Sequence, residues 1–136
     1  MKAILIVVFG GLVTWAILSA SGSNNSVDEQ DKLDWTDATS KEVIDNAWES
    51  NKPVLFFKHS MRCGLSMMVL EDFENDWNVP KEKCEIIFID IFKHRDISDY
   101  LAEKTGVRHH SPQVFLMEGG EIKYHKTHGD IKVFDI

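Results

Sequence analysis

The sequence predicts an α/β fold: a central mixed β-sheet with helices on both faces, preceded by an N-terminal hydrophobic helix. Short apolar runs alternate with segments whose apolar residues recur at helical spacing, which is typical of parallel strands joined by helices. The last two apolar runs are separated only by Glu118-Gly119-Gly120, which predicts an antiparallel hairpin. A chain of 136 residues has room for one folded domain of ordinary size.

The amino-terminal segment is apolar and is set apart from the folded domain. Residues 3–20 carry no charged side chain, and Lys2 precedes them. Such a helix would span roughly 27 Å, enough to cross the hydrocarbon core of a membrane. An uncleaved signal anchor and a cleaved signal peptide, with small residues at 19–22, both fit this pattern. We therefore assign residues 1–26 to an anchor or signal peptide plus linker, and residues 27–136 to the folded domain.

The charges around the apolar segment predict its orientation. Lys2 lies before the segment and several acidic residues follow it, so the domain is expected to be membrane-anchored or exported and to lie outside the cytoplasm. Because the bias depends on one lysine, the cytoplasmic side stays open as the alternative.

In the first half of the domain, one helix is expected between two strands. Leu33–Thr36 predicts a short edge strand, and Thr39 with Glu42 has the spacing of a capping box at a helix start. The inward face of this helix would carry the apolar residues Val43, Ile44, Ala47 and Trp48. After Pro53, the uninterrupted apolar run Val54–Phe57 predicts a strand covered on both faces.

Two more helices and three strands are expected in the second half. A helix should begin near Cys63, with Met68 beside apolar residues that recur every four positions: Leu65, Val69, Phe73 and Trp77. Glu85–Asp90 predicts a central strand, and Asp96 and Gly106 should cap the two ends of the next helix. That helix carries the apolar positions Ile97, Tyr100 and Leu101, and the hairpin strands are Gln113–Met117 and Glu121–His125.

Composition excludes several classes of function. The net charge of −7 argues against nucleic acid as a partner, because phosphate binding needs a basic surface. The chain has no glycine-rich phosphate loop, and its two cysteines are too few for a disulfide-stapled mini-protein.

Cys63 is the candidate reactive residue, because it stands where a strand leads into a helix. The helix start favours an anion, and Lys58, His59 and Arg62 add positive charge nearby, so we expect thiolate character. Ser66 lies one turn further on and could donate a hydrogen bond to the sulfur, which makes this a Cys-x-x-Ser site. The alternative is a buried cysteine that acts as a small hydrophobic residue.

A proline before a strand marks the second part of the candidate site. Pro112 follows His109, His110 and Ser111 and precedes the first hairpin strand. A cis bond at Ser111-Pro112 would turn the chain sharply and present the backbone of Ser111 to an extended thiol substrate. An ordinary trans proline at a strand start is the alternative.

Three motifs in this order give the domain a family resemblance. FKHSMRCGLS at residues 57–66, DIFKHRDISDYLAEKTGVRHHSPQVFLMEGGEI at 90–122 and HGDI at 128–131 resemble the YtxJ family of monothiol bacilliredoxins. The resemblance covers about residues 33–131 and implies a thioredoxin-like fold with Pro112 as its cis-proline.

The resemblance also implies an activity, that of a thiol–disulfide oxidoreductase. Cys63 would attack a protein–bacillithiol mixed disulfide, and a second thiol would release the bacillithiol. The expected partners are S-thiolated proteins, with bacillithiol or another low-molecular-weight thiol as co-substrate and no resident cofactor. Residues expected to contact the substrate are Gly64, His110, Ser111 and Pro112.

The remaining cysteine is expected to be structural, and the histidines are not expected to bind a metal. Cys84 precedes a strand whereas Cys63 follows one, so in parallel strands the sulfurs would lie at opposite ends of the sheet, roughly 16 Å apart. We therefore expect Cys84 to pack in the core and not to pair with Cys63. His109, His110, His125 and His128 lack a supporting ligand pattern, so no metal site is expected. No role is predicted for the His128-Gly129-Asp130 motif.

Two other functions stay open at this stage. Cys63-Gly64-Leu65-Ser66 resembles the Cys-Gly-Phe-Ser of monothiol glutaredoxins, which bind an iron–sulfur cluster, although His110-Ser111 replaces the Thr-Val pair usual before their proline. The domain could also be a non-catalytic binding module on a thioredoxin-like scaffold.

Overall fold

The computed structural model describes residues 33–136. The predictions for residues 1–26, namely the hydrophobic helix, the membrane anchor or signal peptide and the linker, lie outside the described residues and stay predictions. Within the part that is described, no helix is long and apolar enough to cross a membrane.

The domain is a mixed five-stranded sheet with helices on both faces, as predicted. In chain order the strands are β1 (Thr36–Asp37), β2 (Val54–His59), β3 (Glu85–Asp90), β4 (Gln113–Glu118) and β5 (Glu121–Thr127). The helices are α1 (Lys41–Trp48), α2 (Gly64–Asp76) and α3 (Arg95–Thr105). Two short 3₁₀ turns, His128–Asp130 and Val133–Asp135, follow β5.

The strands lie in the order β1-β3-β2-β4-β5. β3 pairs in parallel with β1 on one side and with β2 on the other. β4 runs antiparallel to both β2 and β5. Every residue of β2 is buried, because this strand is central and helices cover both of its faces. This explains why its sequence begins with an uninterrupted apolar run and not with an alternating one.

Two hydrophobic clusters fill the space between the sheet and the helices. Val54 and Phe56 of β2 face α1 and α3, in a cluster with Ile44, Ile87, Ile97, Leu101 and Phe115. Leu55 and Phe57 face α2, in a cluster with Val69, Phe73, Trp77, Cys84, Val114 and Ile131. Burial of these side chains contributes about 1.5–3 kcal/mol for each large residue.

Glycines end α3 and form the hairpin turn, as predicted. Gly106 caps the carboxyl end of α3 with φ +67°. Gly119 and Gly120 connect β4 to β5 with φ +57° and +77°. Only glycine reaches this left-handed region without a steric penalty, which explains why both features were visible in the sequence.

Other boundaries differ from the predictions. The edge strand is Thr36–Asp37 and not Leu33–Thr36, because the Trp35 N–H bonds to the Leu33 carbonyl in a tight turn. The residue that precedes α1 is Ser40, without a side-chain cap, so the predicted Thr39–Glu42 capping box is wrong. His94 precedes α3, so Asp96 lies inside the first turn, where its charge still favours the helix dipole.

The first turn of α2 is more exposed than its four-residue spacing predicts. Val69, Phe73 and Trp77 are buried, but Leu65 is 44% exposed and Met68 is 65% exposed. This turn therefore presents apolar side chains to solvent next to Cys63.

Candidate active site

Three segments meet at one edge of the sheet and form the candidate site. β2 ends at His59, and β4 begins with Gln113 opposite Lys58. β5 ends with Thr127 opposite the same Gln113. The register therefore brings the approach to Cys63, the proline segment and the His128 turn to the same edge of the sheet.

Cys63 occupies the position that the sequence predicts, directly before α2. Its backbone is extended, with φ −110° and ψ 112°, and its carbonyl accepts the first-turn N–H of Met67 at 3.1 Å. The Cys63 N–H donates to the Ser60 carbonyl at 3.1 Å, which closes a turn. The half-buried thiol is free, so it is chemically available at the amino end of a thirteen-residue helix.

Ser66 is fully buried, and its hydroxyl has partners other than the sulfur of Cys63. The Ser66 Oγ accepts the Ser60 N–H at 3.1 Å and lies 2.9 Å from Nδ1 of His59. Among residues 33–136, no hydrogen bond joins it to the sulfur of Cys63. Ser66 therefore fixes the turn that carries Cys63, and its predicted effect on the thiolate stays a prediction.

His59 is buried at the end of β2, on the face that α2 covers. Burial lowers the pKa of His59, and nearby Asp90 opposes this effect. At pH 7 the neutral imidazole can accept a hydrogen bond from the Ser66 hydroxyl at Nδ1. His59 and Ser66 thus form one hydrogen-bonded unit beneath the Cys63 turn.

Lys58 lies on the opposite face of the sheet from α2. Its Nζ donates to the Ser98 carbonyl of α3 at 2.9 Å and lies 5.8 Å from the centre of the Phe115 ring. Burial lowers the pKa of Lys58 to about 8. The prediction that Lys58 adds positive charge near Cys63 is therefore corrected. Side chains alternate between the two faces along β2, so that of Lys58 points to the face opposite α2.

Arg62 is adjacent to Cys63 and is engaged with an aromatic ring. Its guanidinium carbon lies 4.0 Å from the centre of the Phe92 ring, in the loop between β3 and α3. Gly64 begins α2, and a Cβ at this position would meet open space. The roles predicted for Arg62 in stabilising the thiolate and for Gly64 in binding substrate stay predictions.

The proline segment has the predicted cis bond between Ser111 and Pro112. The Pro112 carbonyl accepts the N–H of His128 at 3.0 Å, and the rings of His110 and His128 lie 5.3 Å apart. The Ser111 Oγ is buried and has no hydrogen-bond partner in the described part of the chain. The structure thus brings His110, Ser111 and Pro112 together at the edge that carries Cys63, and the His128 turn joins them.

Gln113 positions the proline segment, although it was not predicted to be a site residue. This fully buried side chain donates to the Arg108 carbonyl at 3.0 Å and accepts the His110 N–H at 3.3 Å. Its Nε2 also lies 3.0 Å from Nε2 of His125. A polar residue directly after a strand-initiating proline was the available signal for this role.

His109 and Cys84 lie away from this group. The Nδ1 of His109 lies 3.0 Å from the Ser98 hydroxyl, so His109 and His110 face different partners. Cys84 is free and buried in the cluster beneath α2, and burial raises its pKa to about 11. Because Val54 pairs with Glu85, Cys84 lies near the start of β2 whereas Cys63 follows its end. The packing role predicted for Cys84 agrees with this position.

Solved structures with a thioredoxin fold are similar to the domain. One is described as that of a candidate oxidoreductase with a thioredoxin fold; it is 33% identical, with a TM-score of 0.63, and the match covers 72% of this chain and 86% of that chain. Thioredoxin from Malassezia sympodialis is 18% identical, with a TM-score of 0.58 and coverage of 71% and 80%. Thioredoxin from Trypanosoma brucei brucei is 13% identical, with a TM-score of 0.57 and coverage of 75% and 85%.

The likeness to the two thioredoxins shows the fold alone. The family is shown by a match to a sequence-family model. The family model of the monothiol bacilliredoxin BrxC matches residues 36–136, from the first residue of β1 to the end of the chain. That span includes Cys63, the cis-proline segment and the His128 turn. The chain therefore belongs to the monothiol bacilliredoxin family.

Proposed function

We propose that this protein removes a low-molecular-weight thiol from protein mixed disulfides by thiol–disulfide exchange at Cys63. The observation that carries the proposal is that the strand register places a free thiol before α2 and a cis-proline segment at the same edge of the sheet. Such an edge can hold an extended substrate while the thiol attacks it. Membership of the bacilliredoxin family supports bacillithiol as the small thiol.

The proposed exchange proceeds in two steps without net oxidation of the protein. The Cys63 thiolate attacks the sulfur of the small thiol, so that a new disulfide forms at Cys63. The bond to the protein substrate breaks, and its thiolate takes a proton from water. A second small thiol then attacks the disulfide at Cys63, which releases a symmetrical small-molecule disulfide and restores the Cys63 thiolate.

Cysteine variants of the full-length chain test this proposal. The substrate is a protein that carries one labelled mixed disulfide, and the measurement is the release of the label. We expect Cys84→Ala to retain exchange, because that sulfur is buried away from the site. We expect Cys63→Ser to reduce release to the uncatalysed rate, because serine is a poor nucleophile towards disulfides.

Exchange that persists in Cys63→Ser would refute the proposal. Absence of exchange in both the unsubstituted chain and Cys84→Ala would favour a binding module instead. A brown colour that depends on Cys63 after anaerobic purification would favour an iron–sulfur carrier.

A further inference from the structure

Arg62 directly precedes Cys63 in sequence, and its guanidinium group is held by an aromatic ring. Its guanidinium group lies over the exposed ring of Phe92, 4.0 Å from the ring centre. A guanidinium held against an aromatic ring keeps its in-plane N–H donors free for an acceptor. The contact also restricts a long side chain before any ligand binds, which lowers the entropic cost of binding.

The loop that carries Phe92 is fixed to the end of β2. The buried Asp90 accepts the Phe92 N–H at 2.9 Å through Oδ1, and its backbone carbonyl accepts the His94 N–H at 2.8 Å. The Ile91 N–H donates to the His59 carbonyl at 3.0 Å. The ring beneath Arg62 is therefore held in place relative to the strand that leads to Cys63.

Arg62 has no acidic partner in the described part of the chain, although acidic residues are in excess. Within residues 33–136 no carboxylate forms an ion pair with it, whereas Arg95 pairs with Asp99 at 2.9 Å. The whole chain has 22 acidic residues against 15 basic ones, so the missing partner does not reflect a shortage of carboxylates. The exposed Met61, Leu65 and Met67 are apolar neighbours in sequence of Arg62 and Cys63. A carboxylate bound there would meet a guanidinium that pairs with no carboxylate among residues 33–136.

We propose that Arg62, held by Phe92, binds a carboxylate of the disulfide substrate next to the bond that Cys63 attacks. This inference rests on the proposed function and specifies its substrate class: disulfides with an acidic group close to the sulfur. The carboxylate can belong to the small thiol or to an acidic residue beside the modified cysteine of the protein. Arg62 then determines specificity.

Matched disulfides separate the two sources of the carboxylate. For the small thiol, the mixed disulfide of a peptide with mercaptoacetate is compared with that of 2-mercaptoethanol. For the protein side, the modified cysteine is preceded by Glu in one peptide and by Gln in the other. We expect Arg62→Gln to slow exchange about 10-fold for the carboxylate member of the responsible pair, and about 2-fold or less for neutral members.

Three further variants test the geometry and control for charge. Phe92→Leu should reproduce part of the loss, because the guanidinium is no longer held. Arg62→Lys should recover less than half of the discrimination, because an ammonium lacks the planar fork. Lys52→Gln removes an exposed cation at the other end of β2 and should change neither pair.

Alkylation tests the same site without disulfide exchange. Iodoacetate and iodoacetamide both react with a thiol, but only iodoacetate carries a carboxylate. With Cys84→Ala as background, we expect Arg62→Gln to lower the ratio of the iodoacetate rate to the iodoacetamide rate at Cys63 about 5-fold or more. This ratio stays informative even if the proposed exchange activity is absent.

Equal slowing of neutral and acidic reagents by Arg62→Gln would overturn the inference, because Arg62 would then act on the thiol itself. An unchanged alkylation ratio would also overturn it. If the unsubstituted chain shows no exchange but Arg62→Gln still lowers the alkylation ratio, the proposed function is refuted and the carboxylate site is supported.

Discussion

At the scale of single residues, Ser66 links the Cys63 turn to the end of β2. Its hydroxyl bonds to the Ser60 N–H and to His59, and all of its surface is buried. A hydroxyl in this position serves the backbone N–H of half-buried Ser60 and the buried imidazole of His59 at once. The serine of the Cys-x-x-Ser motif therefore has a role in the local structure of the turn.

Loss of this hydroxyl should destabilise the domain. We expect Ser66→Ala to lower the free energy of unfolding by about 1–3 kcal/mol, because the Ser60 N–H and the imidazole lose a buried partner. Urea unfolding measures the change. Ser60→Ala is the matched control, since in the described region the Ser60 side chain makes no hydrogen bond, and its effect should stay within about 0.5 kcal/mol. Equal effects of the two variants would contradict this role for Ser66.

At the scale of elements, the β4–β5 hairpin positions the cis-proline segment and the His128 turn. The two strands pair from Gln113 with Thr127 down to Glu118 with Glu121. Both functional segments are attached at the Gln113 end, whereas Gly119 and Gly120 close the opposite end. The glycine turn pairs Glu118 with Glu121, and a shift of one residue between Leu116 and Met117 then pairs Gln113 with Thr127. This shifted register brings Pro112 and His128 together.

The two glycines of this turn should differ in their tolerance of a side chain. Gly120 has φ +77°, and a Cβ there would lie 3.3 Å from Nε1 of Trp48. We expect Gly120→Ala to lower the free energy of unfolding by about 1–2 kcal/mol, through backbone strain and crowding. Gly119 has φ +57° with open space around it, so Gly119→Asn should change stability by about 0.5 kcal/mol or less. Thermal unfolding compares the two, and a larger loss in Gly119→Asn would contradict this account.

Across the whole molecule, the fold buries His59 on the α2 side of the sheet and half-buries His109 and His125 elsewhere. Burial lowers the pKa of His59 on the α2 side, and it lowers the pKa values of His109 and His125, which contact α3 and β4. The unfolded chain takes up these protons near the ordinary pKa of about 6.5, before the folded chain does. Acidification below that value therefore favours the unfolded state.

Stability should accordingly fall between pH 7.5 and pH 5.5. Each histidine can contribute a slope of up to about 1.4 kcal/mol per pH unit below pH 6.5, and the ordinary titration of carboxyl groups lies at lower pH. Urea unfolding at several pH values measures the slope. His109→Gln should make it shallower by removing one of these groups. A free energy of unfolding that is constant or rises on acidification would refute the prediction.

Several features were predicted correctly from the residues alone: the order of strands and helices, Cys63 at a helix start, the proline at a strand start and the glycine turn. These features depend on local periodicity or on the backbone limits of glycine and proline, so neighbouring residues are sufficient to reveal them. The residues that precede the helices were harder to predict. A shift of the helix start by one residue changes which side chain precedes the first turn, as Ser40 and His94 show.

The side-chain contacts around the site could not be predicted from the residue pattern. Lys58 bonds to Ser98 on the far face, Arg62 lies over Phe92, and Gln113 holds the segment around His110. Each contact joins side chains whose elements the fold brings together. The physical reason is that a hydrogen bond or a ring contact depends on direction and on distances of a few ångströms, which sequence spacing does not specify once the chain has left a single helix or strand.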